Sequence, residues 1–101
     1  MLYIEVISKL GKHIRTTKRH WDYITSKHES IIGMEKQIEE TLKNPVYARL
    51  SKEDKEVYLY YAACGKYFMC VVCRHLNGDG FIITAYLTDN IKKGVAVYET
   101  N

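Results

Sequence analysis

The chain has 101 residues, of which 47% are hydrophobic and 27% charged, and it carries a formal net charge of +3. That length accommodates a single domain, 1–101, and that balance is ordinary for a globular protein and argues against disorder. The mild basicity admits a polyanionic partner without requiring one.

The opening stretch MLYIEVISKL mixes Glu5, Ser8 and Lys9 into its apolar residues and does not read as a secretory leader; the apolar runs are too short to span a bilayer. A cytoplasmic protein without membrane contact is expected, with Cys64, Cys70 and Cys73 as reduced thiols.

In chain order, Leu2 to Ser8 alternates as a strand does, Gly11-Lys12 makes a turn, and His13 to Arg15 continues as a short extended piece. Thr16 or Thr17 offers an N-cap for a first helix running to about Thr25. Ser26 to Glu29 has the spacing of a capping box, which predicts a second helix from there to about Lys43, where Asn44-Pro45 stops it. Ile31, Ile38 and Leu42 give that helix an apolar stripe, with Gly33 as its weak point. From Val46 the texture is that of strands: Val46 to Leu50, a polar turn over 51–55, Val57 to Cys64, and Lys66 to His75. Asn77-Gly78-Asp79-Gly80 is a hairpin signal, Phe81 to Thr88 the return strand, and Val95 to Tyr98 an edge. The fold class expected is α+β, with two N-terminal helices packed on an antiparallel sheet of about four strands.

In Phe81 to Thr88 the alternation places Thr84, Tyr86 and Thr88 on one face, either a solvated surface or a row of hydroxyls lining a shallow site. Arg74 lies on the paired strand, and Tyr58, Tyr60 and Tyr61 one strand further; those tyrosines either fill a core or offer stacking platforms for bases. His20, Lys27 and His28 share one face if residues 20 to 31 form one helix; if the chain breaks near Ser26, His28 enters the first turn of the second helix. Either way an imidazole comes near the sheet. Cys70 and Cys73 match a bare CxxC, but strand positions three apart face opposite ways, so they read as core cysteines and no metal ligand set is assigned.

The pieces Trp21 to Ile24, Lys27-His28-Glu29, Glu39 to Pro45, Val71 to Arg74 and Gly80 to Asp89 resemble a family of small, uncharacterised bacterial proteins associated with the barnase–EndoU–colicin–RelE nuclease fold; the resemblance runs from about Trp21 to Gly94. It implies a RelE/barnase-like arrangement, metal-independent RNA cleavage through 2′-hydroxyl attack without a cofactor, and a small antitoxin-like protein as partner. Carried over by position, it assigns His28 (with His20 as rival) to proton transfer, Arg74 to the phosphate, and Thr84 with Tyr86 to positioning. Lys27, Tyr58, Tyr60 and Tyr61 are the remaining substrate contacts expected. The alternative is an inactive RNA-binding or protein-interaction module, since the net charge is low for a ribonuclease that works on ribosomes.

Overall fold

The computed structural model describes residues 2–92 and 94–99, and in it the alternation at the start of the chain becomes a hairpin. The strand β1 (Leu2–Ile7) buries Ile4 and Val6, Gly11 turns the chain at φ 81°, and β2 (His13–Thr17) returns antiparallel, burying Ile14 and Thr16. Thr17 is the N-cap of α1 (Lys18–Lys27): its hydroxyl accepts the His20 amide at 3.1 Å.

The expected capping box at Ser26 does not form, because the Ser26 hydroxyl donates back to the Tyr23 carbonyl at 2.6 Å. A single 3₁₀ turn, Glu29–Ile31, follows instead; Gly33 takes φ 80°, and α2 begins only at Glu35, running to Lys43. Then come β3 (Tyr47–Leu50), β4 (Val57–Cys64), β5 (Tyr67–His75), β6 (Asp79–Thr88) and β7 (Val95–Glu99).

The sheet corrects the expected architecture. It is not an antiparallel sheet of about four strands under two N-terminal helices, as a RelE/barnase-like arrangement requires. Among the described residues it has seven strands in the order β1-β2-β6-β5-β4-β3-β7, and it is mixed. The N-terminal hairpin joins the sheet through β2, which runs parallel to β6 over three positions: His13 opposite Asp79, Ile14 opposite Gly80 and Arg15 opposite Phe81. All other neighbours are antiparallel.

Gly80 makes this junction sterically possible. A Cβ there would lie 2.6 Å from the Arg74 carbonyl oxygen and 2.8 Å from Ile14 Cδ1. An ion pair reinforces it: the Arg15 guanidinium grips both Asp79 carboxylate oxygens, each at 2.7 Å.

One face of the sheet carries the main core. Ile4, Ile14, Ala48, Tyr60, Met69, Val71, Ile82 and Ala85 pack there against Trp21, Ile24, Ile31, Ile38 and Leu42 of the helical layer. The opposite face holds a smaller cluster of Leu59, Tyr61 and Cys70, with Val72, Tyr86 and Ile91 packed against it. Its cover follows from topology. β7 pairs beyond β3, so the connection after β6 must cross β5, β4 and β3, and it seats Ile91 on that face. Cys70 and Cys73 fall in the two different clusters, on opposite faces. Among the described residues no helix is long and apolar enough to cross a membrane.

At the end of β5, the Tyr60 hydroxyl lies 2.9 Å from both Ser8 Oγ and His75 Nε2, and the Tyr58 ring stacks on the imidazole at 3.9 Å between centroids. Burial pulls the His75 pKa from 6.5 to about 4, with Lys12 adding to the shift. The folded value lies below the unfolded one, so the unfolded chain binds the extra proton between those limits. His75 therefore takes up to roughly 3 kcal/mol from stability as pH falls from 6.5 to about 4, and nothing further below that. Denaturant midpoints measured across that window should fall for the wild type, and His75→Phe should flatten this part of the slope. Gly80→Ala should cost about 1–3 kcal/mol by overpacking the junction, read as a lowered melting temperature.

Candidate functional site

The face opposite the helices is only partly covered, and a hollow of about 350 Å³ remains beside the crossing connection. Its floor comes from alternate residues of three strands: Val57 and Leu59 of β4, Val72 of β5, and Thr84 and Tyr86 of β6. Cross-strand register puts Leu59, Val72 and Thr84 in one row, with Tyr61, Cys70 and Tyr86 in the next. The rim is polar: Ser51, Lys52 and Glu53 from the turn between β3 and β4, and Lys92 from the connection after β6. An apolar floor with two hydroxyls and lysines at the mouth suits a ligand that pairs a flat apolar part with an anionic part.

His28 stands at the Tyr86 end. It is the C-cap of α1, its amide bonded to the Ile24 carbonyl at 3.0 Å, and its ring tilts against Tyr86 at 5.6 Å between centroids. The end of α1 thus carries the imidazole past the edge of β6 to the open face. The Tyr86 hydroxyl hydrogen-bonds with the buried Cys70 thiol, and burial raises its pKa well above the usual phenol range. Burial likewise pushes the Cys70 thiol up to about 11. Neither is an acid–base group at neutral pH.

Thr84 and Tyr86 line the hollow and His28 stands against the Tyr86 ring outside that lining, while the other candidates lie elsewhere. His20 donates through Nε2 to the Ile83 carbonyl at 3.0 Å, capping the side of β6 that β2 no longer pairs. Arg74 is on the open face, two positions from Val72, but its guanidinium is held by Glu56 at 2.9 Å and Asp54 at 3.1 Å. The Glu56 amide and that guanidinium hold the Asp54 carboxyl below its ordinary value. Arg74 therefore anchors the turn that supplies the rim, instead of reaching the floor itself.

The stacking role expected of the tyrosines is corrected. Tyr60 is sealed in the main core, Tyr58 is stacked on His75, and Tyr61 is fully buried beneath the connection, its hydroxyl accepting the Lys92 amide at 3.0 Å. Lys27 is exposed on α1, its ammonium 5.7 Å from the centre of the Tyr23 ring and away from the hollow.

Lys52, Glu53 and Lys92 are the residues missed. The 51–55 turn shows only polarity in sequence, and Lys92 reaches the site because of a crossing that local pattern does not encode. Among the described residues no three His, Cys, Asp or Glu side chains converge as a metal ligand set would. Comparison with known proteins gave no match to a family, to a curated protein or to a solved structure.

Arg74→Ala should free the rim turn. Trypsin cleavage after Lys52 and Lys55 is expected to run several-fold faster than in the wild type, while the far-ultraviolet circular dichroism stays unchanged; equal cleavage rates would show that the turn holds itself.

Proposed function

We propose that this chain binds single-stranded RNA in the open-face hollow and cleaves it by attack of the 2′-hydroxyl on the adjacent phosphorus. The observation that carries this reading is the hollow itself, with Thr84 and Tyr86 on its floor, two lysines and one carboxylate at its rim, and His28 against the Tyr86 ring beside it.

Each part has work that fits its chemistry. Val57, Leu59 and Val72 take the flat apolar surface of a nucleotide, and Lys52 and Lys92 offset the charge of its phosphate. The Glu53 carboxylate, on the turn, accepts the proton of the 2′-hydroxyl as the O2′–P bond forms. The His28 ring, beside Tyr86, gives a proton to O5′ as the P–O5′ bond breaks. Thr84 and Tyr86 hold phosphate oxygens and transfer no proton. The products are a 2′,3′-cyclic phosphate and a free 5′-hydroxyl, and the nucleophile comes from the substrate.

A second reading, RNA binding without cleavage, is favoured by one observation: Arg74 is occupied by Asp54 and Glu56 and brings no guanidinium to the phosphorus.

End-labelled RNA incubated with the protein in EDTA should give cyclic-phosphate ends. His28→Ala should slow the reaction by roughly 10²–10⁴, and Glu53→Gln should slow it too. Intact RNA at high protein concentration, with binding that weakens steeply in salt, would move the assignment to the second reading; no binding at all would remove both.

A further inference from the structure

A second cavity lies where β2 and β6 part, and the pairing of these strands explains it. These strands are joined over three positions only; β2 then turns into α1 while β6 runs on. Where they part, a notch of about 240 Å³ opens between Thr16 and Thr17 on one side and Phe81 and Ile82 on the other, with Leu2, Arg15 and His20 completing the wall.

Three features of the notch go together. Phe81 is 40% exposed although it is a large aromatic on a sheet. The Arg15 guanidinium is held flat by both Asp79 oxygens, so its charge is already met and its planar face is what it offers a ligand. Thr16 is only 4% exposed, and its hydroxyl is the one buried hydroxyl among the described residues without a hydrogen-bond partner. Buried polar groups are almost always paired, so the orphan hydroxyl of a residue that walls this cavity leaves a hydrogen bond unmade beside it. The volume is below the roughly 300–1,000 Å³ of pockets for drug-sized ligands and suits a single flat ring system.

A bulge in β6 brings this notch to the site. Ile83 has no partner on β5, because Val72 pairs with Thr84 and Cys73 with Ile82. The bulge shifts the alternation by one, so Phe81 shares the open face with Thr84 and Tyr86. Phe81 of the notch and Thr84 of the hollow lie opposite Arg74 and Val72, two residues apart on β5, about 7 Å.

We infer that the notch is a nucleobase subsite: a base packs against the Phe81 ring and the Arg15 guanidinium, and its edge bonds to the Thr16 hydroxyl. This rests on the RNA reading of the hollow and extends it to a second nucleotide of the same strand. Unstacked bases of single-stranded RNA are held in this way, on aromatic or guanidinium planes with hydrogen bonds to their edges.

The test is an abasic scan. A 2′-O-methyl oligouridylate hexamer, which cleavage through the 2′-hydroxyl cannot consume, is bound intact and with one base removed at each position in turn. The wild type should show two neighbouring positions where base removal weakens binding, each by roughly tenfold. Phe81→Ala should weaken the intact hexamer by a similar factor and silence one of the two positions. Thr16→Val, which removes only the orphan hydroxyl, should weaken binding while leaving the melting temperature equal or higher. A single sensitive position in the wild type, a profile unchanged by Phe81→Ala, or full affinity in Thr16→Val overturns the subsite and leaves the hollow standing. Failure of the wild type to bind the hexamer or its unmodified RNA counterpart overturns both.

Discussion

The molecule depends on the close approach of Ile14 to Gly80. The N-terminal hairpin and the helices it leads into are attached to the rest of the sheet through three parallel positions, and the middle one closes only because residue 80 has no side chain. Arg15 and Asp79 lock the same junction from the open face. Everything the helical segment brings to the sheet is placed by this contact: the imidazole of His28 against Tyr86, the cap that His20 sets on Ile83, and the wall formed by Thr16 and Thr17.

The second organising fact is that the sheet is covered unequally. Two helices and a 3₁₀ turn pack over one face; a single connection, carrying Ile91 and Lys92, covers part of the other. The hollow is what that partial cover leaves open. It is shaped by packing on the inside and by charge at the rim, where Arg74 holds the 51–56 turn through two carboxylates. An arginine expected to act on a ligand is in the structure a fastener for the residues that line the site.

Much of the fold was legible locally. The strands, the Thr17 cap, the Gly11 turn and the stop at Asn44-Pro45 all follow from period, cap chemistry and turn residues. What failed was long-range. Asp79 and Gly80 read as turn residues, whereas Gly78 alone of the two hairpin glycines takes a positive φ, and Gly80 belongs to the strand that receives β2. A parallel pair between distant segments leaves no periodic mark in either one, so the hairpin was not counted into the sheet. The Ser26 capping box was a spacing that a competing bond to Tyr23 defeated.

For the site, Thr84 and Tyr86 were legible because two-residue alternation holds from Thr84 onward, and it fails before that because Ile83 bulges. The tyrosines of β4 were ambiguous for a different reason: alternation assigns Tyr60 and Tyr61 to opposite faces but cannot tell that both faces are buried there. Glu53 and Lys92 were invisible, since turns acquire a site only from what they fold over.

The separation in sequence across the β2–β6 junction also bears on when the open face becomes complete. Its floor is made by β4, β5 and β6, successive antiparallel neighbours joined by short turns. Arg15 and Asp79, by contrast, meet across 64 residues of chain. Closing so large a loop costs entropy that local contacts do not offset, so by this account the meander assembles ahead of the junction. A folding chain in which only the meander has formed has the apolar floor and hydroxyls but neither imidazole nor notch, and docking of the amino-terminal hairpin is the event that turns a bare sheet into a site.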